Sequence, residues 1–161
     1  MKLEIYNMAG HLIRRLNQIT GSVFYIRMHE HGLDLTSVQF AALSAISARP
    51  GIDQARLAGL IAYDRATITG VLDRLEAKGY VKRQVSKRDR RQREIHLTDA
   101  GRDVIAAIIP TVRMLQNEIL LGLTEEERKT FLALARKAAD AANYLSRAPL
   151  VFDDTQDKSE T

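Results

Sequence analysis

The segment around which the chain is organised runs from Ile52 to Gly101, and its centre, residues 64–81, reads DRATITGVLDRLEAKGYV. Asp64 stands where a carboxylate can accept hydrogen bonds from the unpaired amides of a first helical turn. Large apolar residues then recur at the i, i+3, i+4, i+7 spacing of one buried stripe, at Ile68, Val71, Leu72 and Leu75. Gly79 follows at the position where a left-handed residue commonly ends a helix. The pattern predicts an amphipathic helix over residues 65–78.

The face of this helix opposite the stripe is unusually small and consists of Ala66, Thr69, Gly70 and Asp73. A glycine inside a helix costs about 1 kcal/mol relative to alanine, so Gly70 needs a reason. Either this face closely approaches the floor of a DNA groove, or it packs tightly against a neighbouring helix. Arg65, Thr67 and Arg74 flank the small face, where their side chains could reach base edges or phosphates.

A shorter helix is predicted directly upstream, over Gln54 to Ile61, with Asp53 as its cap. Two short helices joined by a tight turn form the helix-turn-helix pattern, in which the second helix enters the major groove of DNA. This makes residues 65–78 a candidate recognition helix.

Two strands are predicted after the recognition helix, over residues 80–85 and 94–97. Between them, residues 86–93 read SKRDRRQR, which is too polar for a core and strongly basic. Such a tip can be merely a solvated turn, but its place after a recognition helix favours contact with DNA. An arginine on such a tip suits a narrow and negative minor groove, and the candidate DNA contacts here are Arg88, Arg90 and Arg91. Asp73 would be repelled by phosphates, so we expect it to pair with a neighbouring arginine.

Together these segments closely resemble the winged-helix signature of the MarR family. The resemblance is carried by DRATIT at 64–69, LDRLEAKGYV at 72–81, DRR at 89–91 and IHLTDAG at 95–101. It implies a homodimeric, small-molecule-responsive transcription regulator, usually a repressor. It also implies that Arg91 enters the minor groove and that Asp89 orients it, in agreement with the way a carboxylate fixes the plane of a guanidinium.

The flanking segments also fit the layout of that family, so the resemblance covers about residues 5–147. One long helix is predicted from Ile5 to His29, one from Asp99 to Leu121 capped by Thr98, and one up to Arg147 capped by Thr124. The predicted fold is mainly α with a small β-hairpin wing: a winged helix-turn-helix in a dimeric helical frame. The predicted divisions are an N-terminal dimerisation helix in 1–32, a DNA-binding domain in 33–101, C-terminal dimerisation helices in 102–147 and a disordered tail in 148–161.

A row of polar side chains runs along one flank of the first helix, at His11, Arg15, Gln18 and Ser22. It is either a boundary row partly covered by other helices or the wall of a ligand site. The resemblance favours the second interpretation, because the effector pocket of the MarR family commonly lies between the dimerisation helices and the DNA-reading segment. We call this segment, Ile52 to Gly101, the reader. A cation, an imidazole and an amide beside an apolar wall would suit a small aromatic or heteroaromatic carboxylate.

The composition sets further bounds. The chain has 161 residues, 45% of them hydrophobic, which suits one domain with a true core, and its net charge of +4 permits a polyanionic partner. It has no cysteine, which excludes disulfides, zinc-thiolate sites and thiol redox sensing. His29 and His31 do not share a helix face, so no metal site is predicted.

No nucleotide-binding glycine loop and no nucleophile–base pair is evident, so the sequence predicts neither an enzyme nor a cofactor. No secretory signal or membrane-spanning run is evident, so a cytoplasmic protein without a membrane partner is expected. The predicted function is a repressor that a small aromatic acid releases from an inverted-repeat, double-stranded operator. The alternative is an architectural protein without an effector that binds any duplex with similar affinity.

Overall fold

The computed structural model describes residues 3–86 and 91–151. Within these ranges the chain forms six α-helices and one two-stranded antiparallel sheet. The helices are α1 Ala9–Glu30, α2 Ser37–Ala48, α3 Gln54–Leu60, α4 Arg65–Ala77, α5 Asp99–Ile119 and α6 Glu125–Ala141, and the strands are β1 Val81–Val85 and β2 Arg93–Leu97. The predicted fold class, mainly helical with a β-hairpin wing, is confirmed. Among the described helices, none is long and apolar enough to cross a membrane.

The predicted starts of α3, α5 and α6 are confirmed by their caps. The side chain of Asp53 accepts a hydrogen bond from the Arg56 amide at 2.9 Å. Thr98 accepts from the Gly101 amide, and Thr124 forms a reciprocal capping box with Glu127. Each cap satisfies amides that have no partner inside their own helix, which is why these short sequence signals locate helix starts so well.

The hydrophobic core lies beneath the helix-turn-helix and the wing. The inward stripe of α4 is buried as predicted, and α2, α3 and the hairpin pack around it. The large side chains at the centre of this core, all almost inaccessible to solvent, are Leu43, Ile46, Leu57, Ile68, Leu72, Leu75 and Ile95. Burying a side chain of this size contributes about 1.5–3 kcal/mol, so the core fixes the position of α4 relative to α2 and the wing.

The terminal helices α1 and α6 bury far fewer side chains than the helix-turn-helix and the wing do. In the single chain α1 buries only Phe24 and Met28, and α6 buries no residue. Large apolar side chains of both α1 and α6 are therefore exposed. The exposed members on the two helices include Leu12, Ile19, Ile26, Leu132 and Leu134. A monomeric soluble protein rarely exposes so much contiguous apolar surface.

The first helix does not begin where it was predicted. Residues Glu4–Asn7 form a 3-10 helix, Met8 is extended, and α1 starts at Ala9. The prediction of one continuous helix from Ile5 is wrong. The apolar side chains of the 3-10 helix are exposed in the single chain, and Gly10 lowers the helix propensity where α1 begins. Few interactions therefore stabilise a continuous α-helix through this segment.

The end of the chain also differs from its prediction. The last helix ends at Ala141 instead of Arg147 and is followed by the 3-10 helix Asn143–Leu145. The side chain of Asn143 donates to the Leu150 carbonyl at 2.9 Å and accepts from the Leu150 amide at 2.8 Å. These bonds replace the helical ladder and turn the chain back.

The described part of the predicted tail, residues 148–151, ends in a contact with α3. The Val151 amide donates to the Gly59 carbonyl oxygen of α3 at 2.9 Å. A Cβ on Gly59 would meet the Val151 side chain at 3.0 Å, so glycine leaves the space that this side chain covers. These contacts place Val151 against α3, whereas the disorder predicted for 148–161 remains a prediction, and 152–161 lie outside the described residues.

Candidate nucleic-acid interface

The turn between α3 and α4 is compact. Ala62 adopts a left-handed conformation with φ of 55°, and the Tyr63 amide donates to the Ala58 carbonyl oxygen at 3.0 Å. Asp64 then starts α4: one carboxylate oxygen accepts from the Thr67 amide at 2.9 Å and the other from the Thr67 hydroxyl at 2.7 Å. The Thr67 hydroxyl, followed by the Thr67 amide, holds the pKa of Asp64 below its ordinary value, so the cap is ionised at neutral pH.

The predicted reading face of α4 lies open to solvent. Arg65, Ala66, Thr67, Thr69 and Arg74 are exposed, and Gly70 is half-buried. The guanidinium groups of Arg65 and Arg74 have no hydrogen-bond or ion-pair partner among the residues that the structure describes. Both cations can therefore reach a phosphate or a base edge without breaking a contact in the chain. Thr67 differs, because its hydroxyl hydrogen is already donated to Asp64.

Gly70 has no packing role within the described chain. A Cβ built at this position would meet nothing within 4 Å among the described residues. Close packing against a described helix of the same chain therefore does not explain the glycine at position 70. The other interpretation, close approach to DNA, remains a prediction.

The wing is an antiparallel hairpin as predicted. Val81 pairs with Leu97 and Val85 with Arg93, and the Ser86 amide donates to the Gln92 carbonyl oxygen at 2.9 Å. Arg91 is exposed just before β2. Two predicted DNA contacts, Arg88 and Arg90, and the predicted orienting residue, Asp89, lie outside the described residues.

The wing is attached to α4 by one arginine. Arg83 donates from Nη2 to the Asp73 carboxylate at 2.7 Å and from Nε to the Glu76 carboxylate at 3.0 Å. The predicted pairing of Asp73 with a neighbouring arginine is thus confirmed, and sequence reasoning did not single out Arg83 as that partner. The Arg83 guanidinium holds the pKa of Glu76 below its ordinary value. Both carboxylates are therefore neutralised locally, so they repel an approaching phosphate less.

The end of α4 is fastened to the start of α5 through Thr98. Its hydroxyl donates to the Gly79 carbonyl oxygen at 2.6 Å, and its amide donates to the Tyr80 carbonyl oxygen at 3.0 Å. Gly79 has the predicted left-handed φ, 74°. Lys78 adds a second link, because its ammonium binds the Asp34 carboxylate at 3.0 Å, in the loop between α1 and α2. The reader is therefore joined at one end to both helices that flank it.

The four predicted ligand residues all lie on α1. Gln18 and Ser22 lie in a shallow groove on α1 of about 520 Å³, whose other lining residues are Asn17, Gly21, Tyr25 and Ile26. The ring of His11 packs 5.6 Å from that of Tyr6, and Arg15 is exposed. Gln18 also accepts a hydrogen bond from Arg14 at 2.8 Å. One chain therefore supplies an open wall, and its role in ligand binding remains a prediction.

The histidines at the end of α1 are both exposed, and His31 forms a hydrogen bond of 2.8 Å with the Thr111 hydroxyl of α5. In the part of the chain that the structure describes, no three His, Asp or Glu side chains are grouped as metal ligands would be.

Known proteins share this architecture. A family model described as MarR family matches residues 35–92. Over 140 residues the chain is 34% identical to the transcriptional regulator HosA of Escherichia coli, a match that covers 86% of the chain and all of HosA. The chain belongs to the MarR family. As a member of the MarR family it is a DNA-binding transcriptional regulator and not an enzyme.

Other MarR-type proteins are similar along most of their length. The repressor NicR of Pseudomonas putida is 32% identical over 138 residues, 86% of each chain. Among solved structures, a mutant Escherichia coli MarR bound to operator DNA superposes with a TM-score of 0.76, at 28% identity over 86% of this chain and 99% of that one. BpsR of Bordetella bronchiseptica, whose DNA binding is regulated by 6-hydroxynicotinic acid, has a TM-score of 0.79, at 27% identity over 87% of this chain and 99% of that one.

Sequence reasoning missed one further residue of this MarR-family reader. Gln54, the first residue of α3, donates from Nε2 to the Thr69 hydroxyl of α4 at 2.7 Å. The available signal was its place directly after the Asp53 cap, where α3 begins beside the recognition helix. The side chain of α4 that Gln54 contacts depends on the angle between the two helices, and this angle cannot be predicted from the sequence of either helix.

Proposed function

We propose that this regulator is a homodimer that represses transcription from an inverted-repeat operator and is released by a small aromatic or heteroaromatic acid. One observation supports the DNA-binding mode most directly. The inward stripe of α4 is buried, its acidic side chain is neutralised by Arg83, and the guanidinium groups of its outward arginines have no partner in the described chain. A helix arranged in this way offers donors and small side chains to the major groove.

The homodimer is supported by the terminal helices. The exposed apolar side chains of α1 and α6 have no cover within the described chain, whereas the reader is fully packed. A two-fold axis through these helices would give two readers on one duplex. Half-sites would then lie about 10 bp apart, or a multiple of that, as inverted repeats.

The effector class is supported by chemistry and by a relative. BpsR responds to 6-hydroxynicotinic acid, a heteroaromatic acid. In this chain Arg15 provides an exposed cation on α1, and Gln18 and Ser22 provide hydrogen-bonding groups one and two turns further along. The dimer has one state whose reader spacing fits the operator and one whose reader spacing does not. A ligand that binds the second state more tightly than the first shifts the population away from DNA binding.

The DNA-binding proposal is tested by selecting bound duplexes from a random-sequence pool with the full-length protein. We expect enrichment of inverted repeats. A pool that remains random would contradict the proposal and favour the architectural alternative. Arg91→Ala should then weaken binding to the selected duplex and lower the slope of log affinity against log salt by about 1, since one phosphate or groove contact is lost.

The effector proposal is tested by thermal shift with a panel of benzoic, hydroxybenzoic and nicotinic acids, followed by release from the selected duplex. We expect at least one acid to raise the melting temperature and weaken DNA binding. Arg15→Ala should abolish that response and leave operator binding normal, with Arg113→Ala, at an exposed position of α5, as the control. An undiminished response in Arg15→Ala would remove Arg15 from the ligand site.

A further inference from the structure

Gln54 and Thr69 form a hydrogen-bonded pair across the two helices of the reader. The Gln54 Nε2 donates to Thr69 Oγ1 at 2.7 Å, and Thr69 Oγ1 donates to the Arg65 carbonyl oxygen at 2.9 Å. Gln54 is half-buried and Thr69 is exposed. The pair therefore lies at the solvent edge of the α3–α4 contact and on the reading face of α4.

The chemistry of a hydroxyl fixes the orientation of this pair. Thr69 has a single hydroxyl hydrogen, and it goes to the Arg65 carbonyl oxygen. The group that Gln54 turns towards Thr69 must therefore be a donor, its NH₂. The carboxamide oxygen and the second N–H of Gln54 have no partner among the described residues, so an oriented acceptor and donor remain available side by side.

This remaining pair of groups matches one base. In the major groove adenine presents an N6 amino donor beside the N7 acceptor, and a glutamine carboxamide binds both at once. Guanine presents two acceptors there, so the carboxamide oxygen would face O6 without a hydrogen. A carboxamide held in one orientation can discriminate between the two purines, because it cannot rotate to suit guanine without losing its bond to Thr69.

We propose that Gln54 is a specificity-determining residue that reads an adenine in each half-site, with Thr69 as the positioning residue that orients its carboxamide. The proposal rests on the proposed function, because it assumes that α4 lies in the major groove. It extends the reading surface from α4 to the start of α3. It also gives Thr69 a positioning role in place of a donor role towards DNA. The Thr69 hydroxyl already donates its hydrogen to the Arg65 carbonyl, so towards DNA it can only accept a hydrogen bond.

The test compares sequence preferences of full-length variants, each used to select duplexes from the same random pool. In Gln54→Ala we expect the preference for adenine at one position of each half-site to fall by about tenfold, within the range of one bidentate base contact. Gln54→Glu keeps the size of the side chain and removes both donors, so the preference at that position should move towards cytosine, whose N4 amino group donates.

Thr69→Val removes the hydroxyl and keeps the shape, so it should relax the same position without shifting the others. Gln116→Ala is the matched control, since Gln116 is an exposed glutamine of α5 that donates only to a carbonyl of its own helix. Its profile should equal that of the unmodified protein, and a thermal unfolding curve for each variant verifies folding.

Two results overturn the proposal. If Gln54→Ala and Gln54→Glu weaken binding to all sequences equally, Gln54 only packs α3 against α4. If they leave the profile unchanged, Gln54 does not reach the bases. In both cases the unmodified protein would still select inverted repeats, whereas failure of the proposed function would appear as no selection by the unmodified protein.

Discussion

Gly101 shows how one missing side chain fixes the geometry of this reader. The start of α5 lies so close to the segment between α4 and β1 that a Cβ on Gly101 would overlap the Tyr80 carbonyl oxygen and lie 3.0 Å from its carbon. Both atoms belong to the backbone and cannot rotate away. The same Tyr80 oxygen accepts from the Thr98 amide, so the close approach and the hydrogen bond hold the start of α5 against this segment.

Gly101→Ala is therefore expected to lower the free energy of unfolding by about 3 kcal/mol, the upper end of the usual cost of overpacking. Chemical denaturation monitored by circular dichroism measures the difference. Gly122→Ala is the control, because nothing described lies within 4 Å of a Cβ at that position. Equal stability of the two variants would mean that α5 can move away from Tyr80 at no cost.

Gly70→Ala should have the opposite effect on stability. Since the described chain leaves open space there, alanine should stabilise α4 by about 1 kcal/mol through its higher helix propensity. If the small face lies against a groove floor, the same methyl group should weaken binding to the selected duplex. Denaturation and a duplex titration measure the two quantities, and a stabilised variant with unchanged DNA affinity would show that this face stays away from the groove floor.

Among the structural elements, the wing depends on α4 for its orientation. Its strands pair only with each other and with Ile52 among the described residues, and a two-stranded sheet has little stability of its own. The bonds of Arg83 to Asp73 and Glu76 provide a polar attachment to α4 in addition to the apolar core. The angle between the wing and α4 depends on this attachment.

The attachment should depend on pH. The pKa of Glu76 is lowered in the folded protein by Arg83, so its stabilising contribution is complete above the ordinary glutamate pKa and is lost as the pH falls through the lowered value. Glu76→Gln should thus be less stable than the unmodified protein at pH 7, by about 1 kcal/mol or less because solvent screens a partly exposed pair. The difference should vanish well below pH 4. Denaturation curves at both pH values test this, and a difference independent of pH would show that the charge has no role.

For the molecule as a whole, the balance of buried and exposed surface differs between its two parts. The reader has a dense core, whereas α1 and α6 leave Leu12, Ile19 and Leu134 each more than 40% exposed. A second copy of the chain would cover this surface. Because the links through Lys78 and Thr98 join the reader to the flanking helices, a change in how two copies meet would also change the separation of their readers.

Ile19→Glu should disrupt such a dimer, because a carboxylate would have to be buried in an apolar interface. Analytical ultracentrifugation at micromolar concentration should show a monomer, and affinity for an inverted repeat should fall to that of a single half-site. Ser47→Glu, at an exposed position on α2, should leave the oligomeric state unchanged. A dimeric Ile19→Glu would exclude Ile19 from the interface.

The parts of the fold that could be predicted from the sequence are those specified by residues close together in the chain. Asp64 and the stripe from Ile68 to Leu75 define α4 within one short segment, since capping and helical spacing are local effects. The end of α6 could not be predicted, because it depends on Asn143 meeting Leu150 and on Val151 meeting α3. The same holds for the site. The sequence predicted that Asp73 would pair with an arginine, but it could not identify Arg83, because the position of β1 relative to α4 depends on tertiary packing.

The docking of Val151 on Gly59 has a practical consequence. The chain has no cysteine, so a single cysteine introduced in place of exposed Pro149 would take a thiol-reactive dye at one known position. That position lies two residues from the bond to α3, close to the helix pair that would meet the duplex. An environment-sensitive fluorophore attached there would give an optical signal of operator capture and of its reversal by an inducer, in one cuvette and without labelled DNA.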